Sequence, residues 1–159
     1  MTVADINKSY EFFKLIKNSS FSTNKKRQFI EVLFADYENN WEPIGITIEA
    51  LKACHRFNYD KISNKKHSAG IERAHISNRA ETFDIMLEKE WQSAEEWWEF
   101  YLKRNKTILS LSCENKAIGS GKLTEWIHID KGYFKNARIG YSYKKRDKEY
   151  LKDLGKKNL

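Results

Sequence analysis

Thr107-Ile108-Leu109-Ser110-Leu111-Ser112 is a short apolar run that predicts a β-strand. Residues 71–76, Ile-Glu-Arg-Ala-His-Ile, predict a second short strand. Between the two, residues 80–104 repeat large apolar side chains at helical spacing, with acidic residues on the outer face, and predict one long amphipathic helix. Strands combined with helices in this way indicate an α+β fold, in which a small antiparallel sheet lies beside several helices.

Residues 1–58 predict a helical N-terminal module. Apolar side chains at helical spacing in residues 5–17 and 25–37 predict two amphipathic helices. Pro43, the only proline of the chain, lies in a polar stretch that breaks this pattern. Thr47 is suited to be the N-cap of a third helix that runs toward Phe57. The first 58 residues are therefore expected to form three short helices.

Residues 59–159 predict a second module with a basic C-terminal segment. Residues 58–70 are polar and lack periodicity, which predicts a loop. Residues 123–129 and 133–143 alternate apolar and polar side chains, and predict two strands that pair through the turn Asp130-Lys131-Gly132. Residues 144–154 predict a final helix. The expected α+β fold thus has a helical N-terminal part, a small antiparallel sheet, and a basic C-terminal hairpin and helix.

The composition is that of a folded protein. Of the 159 residues 40% are hydrophobic and 14% are aromatic, which is enough to build a core. No apolar run approaches the roughly 20 residues that cross a bilayer, and the first residues lack the basic start and apolar stretch of a secretion signal. Two cysteines, Cys54 and Cys113, cannot form a disulfide framework. Membrane-spanning and disulfide-stapled classes are excluded, and a cytoplasmic location is expected.

The formal net charge of +7 is concentrated at one end of the sequence. Residues 131–159 contain ten basic and three acidic residues, so residues 1–130 are neutral overall. Such a segment indicates a polyanionic partner, because cations that neutralise phosphates release condensed counterions. A solvated tail without a ligand is the alternative, and a membrane surface is disfavoured because the segment lacks a broad apolar face. The residues expected to contact DNA are Arg138, Tyr141, Lys144, Lys145, Arg146 and Lys148.

Two motifs occur in an informative order along the chain. Glu72-Arg73-Ala74-His75-Ile76 contains a histidine in a predicted strand, and Asn105 precedes the apolar strand that leads to Cys113 and Asn115. Over about residues 70–118 the chain resembles the HNH (ββα-metal) nuclease family, in which a strand histidine is followed by such an Asn, an apolar strand and a helix bearing a final His or Asn. The resemblance implies that the small antiparallel sheet contains a ββα-metal-like motif and that residues 59–159 form a nuclease module. The implied activity is metal-dependent hydrolysis of phosphodiester bonds.

The resemblance implies specific roles for these side chains. His75 would be the general base that takes a proton from water, and Asn105 would hold the connecting loop so that the histidine points correctly. Asn115, with Glu114 as the alternative, would coordinate Mg²⁺ or another divalent cation through oxygen.

The chain departs from the family pattern just before the base histidine. The family usually has a metal-binding Asp or His there, where this chain has Ala74. Because strand side chains alternate between faces, Glu72 shares the face of Ala74 and could reach the metal, while Arg73 shares the face of His75 and could hold a phosphate. Zinc is not expected, since the chain has no Cys-x-x-Cys pair.

Two functions are predicted from these residues. The first is a metal-dependent DNA endonuclease of HNH type, restriction-like or homing-like, which would need a symmetric homodimer to cut both strands. The alternative is a non-catalytic nucleic-acid-binding protein that uses the basic C-terminal segment and binds with a steep salt dependence. RNA stays open as a partner, and a metal-independent ribonuclease that uses His75 with Arg73 or Lys116 is a less favoured third function.

Overall fold

The computed structural model describes residues 3–35, 37, 41–60, 70–135 and 144–159. These residues form seven α-helices and one four-stranded sheet, which confirms the α+β class. Within them, no helix combines the length and the apolar character that crossing a bilayer requires. In chain order the elements are α1 (Val3–Asn18), α2 (Thr23–Leu33), β1 (Glu42–Ile46), α3 (Ile48–Arg56), β2 (Ile71–His75), α4 (Arg79–Glu88), α5 (Ala94–Arg104), β3 (Lys106–Leu111), a 3₁₀ turn (Ser112–Glu114), α6 (Asn115–Gly119), β4 (Ile127–His128) and α7 (Lys145–Asn158).

The chain divides into two compact units, each built from two stretches of sequence. The helical unit comprises Met1–Asn40 and Ser77–Asn105 and contains α1, α2, α4 and α5. The sheet unit comprises Trp41–Ile76 and Lys106–Leu159 and contains the four strands with α3, α6 and α7. This division differs from the sequence-based boundary at residues 58/59. The helical periodicity of residues 80–104 predicts helical structure but does not indicate which other helices pack against it.

An aromatic cluster forms the core of the helical unit. Trp97 on α5 is fully buried, and its ring centroid lies 5.2 Å from that of Phe13 on α1 and 5.4 Å from that of Phe34 after α2. Phe34 also stacks on Tyr101 with a centroid distance of 3.7 Å. Each buried aromatic side chain removes about 150–250 Å² from water, so these few residues supply much of the hydrophobic stabilisation of this unit.

Two helices, α4 and α5, replace the single helix predicted over residues 80–104. Lys89 ends α4 by adopting an extended conformation, with φ −69° and ψ 138°. Ser93 then begins α5 as its N-cap, and its side-chain oxygen accepts a hydrogen bond from the backbone N–H of Glu96 at 3.1 Å. The prediction of one helix was wrong because this Ser-x-x-Glu cap signal lies inside an apolar periodicity that continues through both helices.

The sheet has the strand order β2-β3-β1-β4 and is mixed. β3 pairs antiparallel with β2 and parallel with β1, whereas β4 pairs antiparallel with β1. The predicted antiparallel sheet is therefore wrong at the β1–β3 pair. The sequence does not predict β1, because Pro is rare in the interior of a sheet and Pro43 therefore indicates a break. The ladder accommodates it through a register shift between Pro43 and Gly45.

The predicted C-terminal hairpin is absent from the described residues. β4 is only two residues long and pairs with β1, and residues 131–135 form turns. Phe134 has a φ of +59°, a left-handed conformation that ends extended backbone, and its side chain is buried. Part of the first alternating stretch does pair as a strand, but with β1, and Ile129 and Phe134 are buried in a core with Leu151. Residues 136–143 lie outside the described part of the chain.

The two faces of the sheet are covered by different helices. On one face Ile71 and Leu109 are buried in a cluster with residues of α3 and α7. On the other face Ala74, Ile108 and Ile118 form a smaller buried cluster, in which Ile118 belongs to α6. The α6 helix thus packs against the antiparallel β2–β3 pair, and the chain order of these three elements is ββα with a helical insertion.

Substitution of Gly45 by alanine tests the close packing of β1. A Cβ atom added at Gly45 would overlap the indole ring of Trp126. Since overpacking of this kind costs about 1–3 kcal/mol, we expect Gly45→Ala to lower the free energy of unfolding by that amount in urea titrations.

Gly119→Ala is the matched control for this substitution. A Cβ atom at Gly119 meets only the carbonyl oxygen of His75, at 3.8 Å, and alanine is the better helix former. The control is expected to keep or slightly raise stability. Equal losses in both variants would contradict the proposed contact.

Candidate functional site

A polar cluster joins β2 to the start of α6 on one face of the sheet. The carboxylate of Glu72 accepts a hydrogen bond from Nδ2 of Asn115 at 2.8 Å and another from Oγ of Ser112 at 3.1 Å. Asn115 and Ser112 are exposed, and Glu72 is half-buried. Ser110 faces Glu72 across the β2–β3 ladder, is fully buried, and its Oγ has no hydrogen-bond partner among the described residues. The carboxylate of Glu72 thus meets the polar side chains of Ser112 and Asn115, and Ser110 lies opposite it in the strand register.

Glu114 lies elsewhere, although it precedes Asn115 in the chain. Its Oε2 accepts hydrogen bonds from Oγ1 of Thr47 at 2.7 Å and from the backbone N–H of Leu111 at 2.9 Å. Thr47 is the N-cap of α3, as predicted, and its Oγ1 accepts from the N–H of Ala50. Glu114 thus fastens the end of β3 to the start of α3 and does not join Glu72 in a common site.

His75 lies on the opposite face of the sheet from Glu72. It is paired with Thr107 in the β2–β3 register, whereas Glu72 is paired with Ser110, and strand side chains at odd and even positions point to opposite faces. The imidazole packs edge-on against Trp41 with a centroid distance of 5.0 Å. The structure therefore does not bring His75 and the Glu72–Asn115 pair together around one ion.

Arg73 is part of the packing of the sheet unit. Its two terminal nitrogens donate hydrogen bonds to the backbone carbonyls of Trp41, at 3.0 Å, and Phe134, at 2.8 Å. Burial lowers the pKa of Arg73 to about 10, an effect that the nearby carboxylate of Asp147 opposes. Asp147 is also buried and accepts hydrogen bonds from the N–H groups of Phe134 and Lys144. Arg73 thus fixes two backbone turns, and the predicted phosphate contact would have to displace these bonds.

Asn105 ends α5 in the helical unit. It is the C-cap of that helix, its backbone N–H donates to the carbonyl of Tyr101 at 2.8 Å, and it is buried. Its predicted role in orienting His75 stays a prediction.

Only some of the side chains around Glu72 are suitable ligands for a hard cation. The carboxylate, amide and hydroxyl oxygens around Glu72 are ligands that Mg²⁺ accepts. Ala74 and Ile118 instead fill the neighbouring space with apolar atoms, at the position where the resemblance implies a metal ligand. Within the described residues, no group of three or more His, Cys, Asp or Glu side chains is placed to hold a metal ion. Of the two cysteines, Cys113 is exposed and Cys54 is buried, and burial raises the pKa of the Cys54 thiol to about 12.

The two units differ strongly in charge. The sheet unit contains 19 basic and 10 acidic residues, a formal charge of +9, whereas the helical unit contains 10 basic and 12 acidic residues, a formal charge of −2. The difference in formal charge between the two units is larger than the difference between residues 131–159 and residues 1–130 of the sequence. The signal was missed because the sheet unit is assembled from two separate stretches of chain.

The residues predicted to contact a nucleic acid differ from one another in their exposure and in their contacts. Lys144 and Lys145 are exposed at the start of α7, whereas Lys148 forms an ion pair with Asp60. Arg146 is exposed and lies over the ring of Tyr133, with its Cζ atom 4.6 Å from the ring centroid. Arg138 and Tyr141 lie outside the described residues.

A comparison of the chain with protein-family models, with curated proteins and with solved structures finds no match in any of the three. Its function is therefore inferred from the residues and their arrangement.

Replacing Arg73 distinguishes a structural side chain from a phosphate ligand. Arg73→Ala removes two hydrogen bonds to the backbone carbonyls of Trp41 and Phe134, so we expect it to lower the free energy of unfolding by about 2–4 kcal/mol in urea titrations. Arg56→Ala, which changes an exposed arginine at the end of α3, should stay within about 0.5 kcal/mol of the wild type. An Arg73→Ala protein of unchanged stability would contradict the structural role.

Proposed function

We propose that this chain is a nucleic-acid-binding protein whose contact surface lies on the sheet unit. The observation that carries the proposal is the separation of charge, +9 on the sheet unit against −2 on the helical unit. A surface of this kind attracts phosphate backbones over distances of a Debye length and releases counterions when it binds.

Many cations of the sheet unit are exposed and available to phosphates. In the described part of that unit, several exposed lysines form no ion pair, and the side chain of Lys145 is 90% exposed although it lies 3.9 Å from Glu149. Ion pairs of this exposed kind contribute little and exchange readily with phosphate. Among the described residues of the sheet unit, the exposed lysines without an ion pair are Lys116, Lys122, Lys131, Lys144 and Lys157.

The α7 helix favours a nucleic acid over a membrane surface. Interfacial helices bury an apolar face in the lipid. The apolar residues of α7 are already used: Leu151 is fully buried, and Tyr150 and Leu154 pack against the same core. The exposed side chains of α7 are mainly charged, which suits an electrostatic contact with a polyanion.

Charge reversal at the start of α7 tests this proposal. Lys144→Glu/Lys145→Glu should weaken binding to a fluorescent 24-base-pair duplex by at least tenfold, measured by anisotropy at several salt concentrations. If both lysines contact phosphates, the slope of log K against log salt should fall by about 2. The same titrations with single-stranded DNA and RNA establish which polymer is bound best.

Lys8→Glu/Lys103→Glu is the matched control, because it changes the net charge equally at two exposed lysines of the helical unit. It should lose much less affinity. A wild-type protein that binds none of the three polymers at 50 mM salt would reject the proposal, as would equal losses in both double variants.

The contact between Glu72 and Asn115 favours a second candidate, a metal-dependent endonuclease. In octahedral Mg²⁺ sites neighbouring ligand oxygens lie about 2.9 Å apart. Rotation of the Asn115 amide by 180° would place its oxygen where Nδ2 now lies, 2.8 Å from the Glu72 carboxylate. Glu72 and Asn115 would then hold the cation, with the hydroxyls of Ser110 and Ser112 nearby. A divalent cation bound there supplies the positive charge that phosphodiester hydrolysis requires.

Glutamine substitutions test the endonuclease candidate. In plasmid nicking with Mg²⁺ or Mn²⁺, Glu72→Gln should lower the rate at least 100-fold, whereas Glu114→Gln should keep it, because that side chain bonds to Thr47 and Leu111. The register of β2 and β3 predicts that His75→Ala also keeps metal-dependent nicking. Nicking by Glu72→Gln at the wild-type rate, or nicking that resists EDTA, would remove this candidate.

A further inference from the structure

A stack of aromatic and cationic groups lies beside the exposed lysines of α7. The rings of Tyr133 and Tyr150 are stacked, with a centroid distance of 3.9 Å and an interplanar angle of 18°. The hydroxyl of Tyr150 accepts a hydrogen bond from the backbone N–H of Asp130 at 2.8 Å, which anchors that ring to the turn that carries Tyr133. Both rings are half-buried and pack against the core of the sheet unit.

Arg146 covers the other face of Tyr133. Its Cζ atom lies 4.6 Å from the ring centroid, and a ring face that already holds Tyr150 at 3.9 Å has no room for a second group. A terminal nitrogen of Arg146 donates to the carbonyl of Gly132 at 3.1 Å. The guanidinium is therefore held in place by a cation–π contact and a hydrogen bond, which lowers the entropy it would lose on binding a ligand.

The partners of Arg146 set it apart from arginines of the helical unit. Arg27 is bound to the carboxylate of Asp84, Arg79 to Glu31 and Arg104 to Glu81. Arg146 is exposed and forms no ion pair within the part of the chain that the structure describes. Its charge and its outer face are thus both accessible to a ligand.

We propose that Tyr150, Tyr133 and Arg146 form a platform on which one nucleobase of a single-stranded nucleic acid stacks. The base would lie on the outer face of the Arg146 guanidinium, a flat surface of the kind on which bases of single strands stack. Lys144 and Lys145, which directly precede Arg146, would contact the adjoining phosphates. A base inside a duplex has both faces covered by its neighbours, so the platform favours single strands. This inference rests on the proposed nucleic-acid binding and specifies its ligand.

Arg146→Lys tests the platform because it keeps the charge and removes the planar group. Stacking on one platform corresponds to a change of about 5- to 100-fold in affinity. We expect Arg146→Lys to bind a fluorescent 12-nucleotide dA strand at least fivefold more weakly than the wild type, and to bind the matching duplex equally well. An oligonucleotide that contains 2-aminopurine should show quenched fluorescence on binding to the wild type and less quenching with Arg146→Lys.

Two further variants complete the experiment. Arg56→Lys, which changes an exposed arginine on α3, should bind the strand as the wild type does. Tyr133→Leu removes the ring beneath Arg146 and should weaken strand binding as Arg146→Lys does, with circular dichroism used to verify its fold. If the wild type and Arg146→Lys bind both polymers equally, the platform is overturned while the proposed function stands. If the wild type binds no nucleic acid, both are overturned.

Discussion

The pairing of β2 with β3 is the constraint on which the sheet unit depends. Both strands are buried from two sides, because Ile71 and Leu109 face the core with α3 and α7, while Ala74 and Ile108 face α6. A slip by one residue would exchange these faces and bury Glu72 in place of an apolar side chain. The same register decides the chemistry: it puts Glu72 beside Asn115 and His75 beside Trp41. Glu72 and His75, which are only three positions apart in sequence, therefore lie in different surroundings.

Charge and hydrophobicity are divided between the two units. The helical unit is stabilised by aromatic rings around Trp97, and its arginines are bound to carboxylates. The sheet unit has a smaller share of aromatic side chains in its core and a large excess of cations, many of them exposed. Such an excess destabilises a compact fold through self-repulsion, which a bound polyanion relieves. If the sheet unit binds a nucleic acid as we propose, the ligand would also stabilise its fold.

The sequence predicts local structure well where one short segment contains the whole signal. The helix capped by Thr47, the strands β2 and β3 and the helix α7 were all predicted near their observed positions. The strand around Pro43 and the contacts of Glu114 and Arg73 could not be predicted from a short segment, because they depend on residues far along the chain. Pro43 sits in a strand because β3 pairs with it, and Glu114 is drawn away from Asn115 by Thr47. Arg73 is bound by backbone carbonyls, which leave no pattern in a sequence.

The helical segment inserted between β2 and β3 has a consequence for folding. The backbone N–H of Ile76 donates to the carbonyl of Lys106 at 3.1 Å, so the two ends of the Ser77–Asn105 segment meet as closely as the ends of a hairpin turn. If residues 77–105 were a flexible chain, bringing their two ends together would cost about 2 kcal/mol more in entropy than closing a two-residue turn. Helices α4 and α5 shorten that connection when they form. Formation of these two helices therefore lowers the entropy cost of pairing β2 with β3.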